Sequence, residues 1–187
     1  MKELSLVVEI CTDSVESATV AEAAGAGRIE LCSALTEGGV TPSAGLIEAV
    51  RRNTGIRIHV LIRPRSGDFL YSDSEFSVMR RDIDVAGECG ADGIVTGILN
   101  PDGTVDVERT AMLAEYAAPM TLTFHRAFDL CRDPKKGLED VIATGAARIL
   151  TSGQAKTAIE GAPLINSLIT EAAGRLIIMP GGGIDEY

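Results

Sequence analysis

Short runs of β-branched and aliphatic residues recur along this chain at a nearly constant interval, and that recurrence constrains the fold more than any other feature. Runs near Leu6–Ile10, Arg28–Cys32, Arg57–Arg63, Gly93–Leu99, Met120–Arg126, Arg148–Ser152 and Leu176–Met179 read as strands. Each is followed by an amphipathic stretch long enough for a helix. From Arg28 onward the strand onsets lie 27 to 36 residues apart, the length of one strand-plus-helix unit. The junctions repeat in chemistry too: Gly25-Ala26-Gly27-Arg28-Ile29, Gly90-Ala91-Asp92-Gly93-Ile94 and Gly145-Ala146-Ala147-Arg148-Ile149 each put glycine where a helix must end before the next strand begins. Seven alternations without a hairpin signal predict an all-parallel sheet covered by helices.

A closed barrel fits this pattern better than a doubly wound open sheet. Several strands alternate polar and apolar residues toward their C-terminal ends, where barrels carry functional side chains. Pro180-Gly181-Gly182-Gly183 follows the seventh strand, where barrels often cradle phosphate with backbone N–H groups. A complete barrel takes about 250 residues, and this chain has 187. The expected fold is therefore α/β, a single domain over residues 1–187: a parallel (β/α)8 barrel of TIM type that lacks its final βα unit.

With 45% apolar and 24% charged residues the chain has the composition of a folded protein. Its net charge of −10, without a Lys/Arg block, argues against nucleic acid and anionic membranes as partners. No apolar run approaches the roughly 18 residues of a membrane helix, and Met1 to Ser5 do not open a secretory leader. A cytoplasmic location is the expectation. Cys11, Cys32, Cys89 and Cys131 form no C-x-x-C pair and should be free thiols in a reducing compartment.

Period-two alternation predicts which side chains face the barrel interior. Thr121, Thr123 and His125 face inward in the fifth strand, His59, Leu61 and Arg63 in the third. The first two strands repeat a Glu-x-Cys motif, with Glu9 and Cys11, then Glu30 and Cys32, pointing in while Val8, Ile10, Ile29 and Leu31 pack outside. Equivalent positions on adjacent strands lie about 4.8 Å apart, so Cys11 and Cys32 are expected to face one another. Two thiolates so placed suit a soft, low-coordinate ion such as Cu(I), although a buried free cysteine also serves simply as a small hydrophobe.

Carboxylates inside a barrel mouth need counter-charges, and Arg63, Arg65 and Arg126 are the expected ones for Glu9 and Glu30. The same arginines suggest an anion site, with guanidinium forks facing Ser152 and the Gly181, Gly182 and Gly183 backbone. In that reading the protein is an enzyme acting on a small anionic, possibly phosphorylated, substrate, with His125, Glu30 and Glu9 as acid–base candidates. His59, deeper in its strand, reads as a core histidine. No lysine ends a strand, which disfavours Schiff-base chemistry. Two histidines without H-x-H disfavour a multi-histidine metal site.

Taken together, these segments resemble the CutC copper-homeostasis family. The resemblance runs through Glu9-Ile10-Cys11-Thr12-Asp13-Ser14, Arg28-Ile29-Glu30-Leu31-Cys32, Glu37-Gly38-Gly39-Val40-Thr41-Pro42-Ser43, Ile62-Arg63-Pro64-Arg65-Ser66-Gly67-Asp68-Phe69, Thr123-Phe124-His125-Arg126-Ala127-Phe128-Asp129 and Arg148-Ile149-Leu150-Thr151-Ser152-Gly153. It implies a cytoplasmic (β/α)8 barrel that assembles as a homo-oligomer. It also implies a role in copper homeostasis, with Cu(I) bound through the positions of Cys11 and Cys32. Members of the family continue past Ile184 into a last βα unit.

Overall fold

A computed structural model describes residues 6–185. The Met1–Ser5 start and Tyr187, on which the leader and truncation expectations rest, lie outside the described residues. Strands and helices alternate throughout. They run β1 (Glu9–Thr12), α1 (Val15–Ala23), β2 (Arg28–Leu31), α2 (Ala44–Asn53), β3 (Arg57–Leu61), α3 (Asp73–Glu88), β4 (Gly93–Thr96), α4 (Val107–Ala117), β5 (Thr121–Phe124), α5 (Pro134–Ala143), β6 (Arg148–Thr151), α6 (Ala162–Ala172) and β7 (Ile177–Pro180). Short 3-10 turns cover Leu35–Glu37 and Arg126–Leu130.

The sheet keeps its strands in chain order, β1 to β7. The pairs β1–β2, β2–β3, β5–β6 and β6–β7 are parallel. A doubly wound sheet reverses strand order at a switch point; no reversal occurs here, so the order is that of a barrel-type sheet.

Two compact units divide the described residues, 6–67 with 75–94, and 68–74 with 95–185. In the first, Ile29, Leu31, Ile58, Val60 and Ile62 are wholly buried, as are Val50 and Met79 of α2 and α3. In the second, Phe124, Ile149, Leu113, Leu138, Val141 and Leu168 form the corresponding core. β2 and β4 are buried at every residue, as expected where both faces of a parallel strand are covered.

Local chemistry sets the boundaries. Ser14 and Ser17 form a reciprocal capping box on α1, Ser43 caps α2, Asp106 caps α4, and Asp133 followed by Pro134 starts α5. The glycine junctions behave as expected: Gly25, Gly90 and Gly145 all take left-handed φ between 80° and 86°. Beyond the first two, Ala26 and Ala91 donate back to Ala21 and Ala86 in Schellman closures.

One expectation about packing is overturned. Val8 and Ile10, assigned to the helix-covered face, remain 47% and 41% exposed. β1 stands at the edge of the strand order and pairs with β2 on one side, which leaves its other flank less covered. β1 also starts at Glu9, three residues later than its apolar run suggests.

Candidate functional site

In the first unit, strand register builds a polar column on one face of β1, β2 and β3. Glu9 lies across from Arg28, Cys11 from Glu30, and Glu30 in turn from His59. The two Glu-x-Cys motifs are thus offset by two residues, and Cys11 does not face Cys32 directly as equivalent positions had suggested. Parallel strands in barrel-type sheets are staggered, and motif alignment alone carries no information about that stagger. With strands about 4.8 Å apart and a rise of about 3.3 Å per residue, the Cys11 and Cys32 Cα atoms are diagonal neighbours about 8 Å apart.

The counter-charge expectation is corrected as well. Glu9 forms a buried ion pair with Arg28, the two side chains 8% and 6% exposed. Arg28 also supplies the favourable charge on Glu30. Alternation places Arg28 two residues before Glu30 on the same face, and the stagger brings Glu9 beside it. Arg63 and Arg65 serve other partners. The buried Arg63 guanidinium donates to the Gly39 and Gly67 carbonyls at 2.9 and 2.8 Å, and Arg65 pairs with Glu75.

The Cys11 thiol donates to Glu30 Oε2 at 3.4 Å, and Cys32 Sγ lies 3.7 Å from the Thr12 carbonyl. Glu30 is buried, and desolvation, followed by the charge of Glu9, pushes its carboxyl up to about 7 despite the opposing effects of Cys11 and Arg28. Cys11 presents surface to solvent, yet local desolvation of its sulfur raises the thiol far above its ordinary range. The charge and hydrogen bond of Glu30 add to this, with Cys32 and Glu9 after them. Cys32, 2% exposed, is pushed up to about 12 by burial, then by Glu30 and Asp13. Both thiols therefore sit in one field of negative charge. Among the described residues, no group of three or more His, Cys, Asp and Glu side chains is arranged to hold a metal ion. His59 is a core residue as expected, buried against Gly93, where even a Cβ would meet its ring at 2.7 Å.

In the second unit, a carboxylate that sequence reasoning did not single out organises the predicted anion residues. Asp129 accepts from Arg126 Nε at 2.8 Å, from the Ser152 and Gln154 backbone N–H groups at 3.1 and 3.2 Å, and from the Thr151 hydroxyl. Burial works against its ionisation, but the bonds from Thr151, Arg126, Ser152 and Gln154 outweigh it and hold the carboxyl below its usual range. Arg126 Nη2 donates to Ser152 Oγ at 2.9 Å. His125 is buried, with its ring centroid 4.7 Å from that of Phe69, and its Nδ1 accepts from the Ala127 N–H. Alternation puts Arg28 on the face of Glu30, but its role as counter-charge was not legible. Nor was Asp129, because it lies in a 3-10 turn where no periodicity reports direction.

Residues 6–186 match the model of the CutC family. The mouse copper homeostasis protein cutC homolog is 52% identical over 180 residues, which cover 96% of this chain and 66% of the mouse protein. A CutC family protein of Chromobacterium violaceum is 52% identical over 178 residues, covering 95% of this chain and 72% of its own length. This chain thus spans just under two thirds of the mouse relative. A crystal structure of the copper homeostasis protein CutC from Streptococcus agalactiae aligns with a TM-score of 0.90 at 36% identity, over 96% of this chain and 89% of that one. An aldolase, QR15, aligns with a TM-score of 0.69 at 17% identity, covering 98% and 83%, a likeness of fold alone. Among the described residues no helix is long and apolar enough to cross a membrane.

Proposed function

Because the chain belongs to the CutC family, we propose that it serves copper homeostasis by taking up Cu(I) as cargo between the sulfurs of Cys11 and Cys32. The observation that carries this reading is the thiol of Cys11 on the Glu30 carboxylate, with Cys32 under the influence of the same group. Negative charge around two thiols opposes free thiolate, which makes them poor nucleophiles and poor redox groups. The same charge attracts a cation. A soft monocation that displaces the thiol protons relieves the penalty, and Cu(I) accepts the low coordination number that two sulfurs provide.

Diagonal placement fits a bridging ion better than a disulfide, whose Cα atoms rarely lie beyond about 7 Å. Arg28 is paired with Glu9 and also acts on Glu30, so it offsets part of the negative charge that the ion meets. A cytoplasmic setting, a complete (β/α)8 barrel and a homo-oligomeric assembly belong to the same reading and follow from the resemblance.

Anaerobic titration with Cu(I) against a competing chelator tests the proposal. One ion per chain is expected, lost when Cys11→Ser and Cys32→Ser are combined and retained when Cys89→Ser and Cys131→Ser are combined. Unchanged stoichiometry and affinity in the Cys11/Cys32 variant would overturn it.

A further inference from the structure

We propose that Arg126, Gly182 and Gly183, all in the second unit, form a binding site for a phosphate group. Three observations meet there. The first is that Arg126 is fixed on one side and open on the other. Nε is held by Asp129 at 2.8 Å and Nη2 by Ser152 Oγ at 2.9 Å, while the side chain as a whole stays 45% exposed. A guanidinium whose orientation is already set loses little freedom on meeting an anion, and its remaining edge can offer the forked geometry that phosphate oxygens accept.

The second is the backbone beside it. Gly182 and Gly183 follow β7 with φ of +101° and +64°. A Cβ on Gly182 would stand 3.0 Å from Arg126 Nη1, so the absence of a side chain is what lets the chain approach the guanidinium. The third is that the N–H groups of Gly182 and Gly183 donate to no group among the described residues, whereas the Gly181 N–H is taken by the Thr151 carbonyl. Successive free N–H groups where the backbone turns can converge on an anion. Here they lie against a cation.

Asp129 does not cancel the site. Its carboxylate already accepts from Arg126, Ser152, Gln154 and Thr151, and the Nη1 side of Arg126 nearest Gly182 takes no part in those bonds. The Ser152 and Gln154 N–H groups are spent on that carboxylate, which confines the phosphate to Arg126 and the two glycines. The ligand class is a phosphate group, carried either on a small organic molecule or as the free ion.

The test is a titration of the 15N-labelled chain, followed by amide spectra, with inorganic phosphate in one arm and glycerol phosphate in the other. Shifts centred on the Gly182 and Gly183 amides are expected in at least one arm, with affinity lowered about ten-fold or more in Arg126→Gln. Tighter binding of the ester identifies a phosphorylated small molecule as the source, and tighter binding of the inorganic ion identifies free phosphate. Shifts elsewhere only, no shifts, or shifts that survive Arg126→Gln overturn the proposal. Should Arg126→Gln fail to fold, Arg126→Lys keeps the charge but loses the fork. Several-fold weaker binding is then expected, and unchanged affinity again overturns the site.

Discussion

Glu30 is the side chain on which the local electrostatics of the first unit turn. It is 6% exposed, accepts a weak bond from the Cys11 thiol and shares Arg28 with Glu9. Moving a carboxyl from an ordinary 4.5 to about 7 in the folded state costs the ionised fold about 3 kcal/mol. The folded protein holds this proton more tightly than the unfolded chain does. The penalty is therefore absent below about pH 4.5, grows as pH rises toward 7 and is complete above it. Glu30→Gln removes the ionisable group, so this variant should gain stability over the parent at pH 8 and none at pH 4. Urea denaturation at the two pH values checks this; equal gains at both would show that Glu30 is not the group responsible. The residue itself was legible, because alternation turned it inward. Its counter-charge was not, since choosing Arg28 over Arg63 depends on the stagger between β1 and β2 and not on spacing within either strand.

At the scale of elements, the segment between β6 and α6 is held from outside itself. It carries little regular structure, and its Ser152 and Gln154 amides and Thr151 hydroxyl all turn to Asp129, which lies in the 3-10 turn after β5. A buried carboxylate that satisfies several donors is costly to remove because each donor loses its partner. Asp129→Ala should destabilise the fold by about 2–4 kcal/mol. Hydrogen exchange at the Ser152 and Gln154 amides should rise by more than in the flanking strands. An unchanged denaturation midpoint with unchanged exchange would mean that the loop is held by something else. The caps are local, because Ser14, Ser43, Asp106 and Asp133 act on amides two or three residues away. Asp129 acts more than twenty residues away, and no local pattern announces that.

For the molecule as a whole, the proposed cargo should report on stability by mass action. A ligand that binds only the native chain, at a free concentration 100-fold above its dissociation constant, stabilises it by about 2.7 kcal/mol. Anaerobic Cu(I) should therefore raise the melting temperature of the chain, and the Cys11→Ser/Cys32→Ser variant should melt at the same temperature with or without the ion. A copper-induced rise that persists in that variant would place the ion elsewhere. Strands alternating with helices and glycine at the helix ends follow from the sequence by itself, because periodicity, capping and the left-handed preference of glycine act within a few residues of the chain, whereas the order of the seven strands is tertiary. Alternation also singled out Glu9, Cys11, Glu30, Arg63 and His125, of which Glu30, Arg63 and His125 are buried and Cys11 is exposed. The tertiary structure alone also decided which residues meet: Glu9 with Arg28, Cys11 with Glu30 and Arg126 with Asp129. Those pairings depend on inter-strand stagger and on the path of loops, and both are set by packing between segments far apart in the chain.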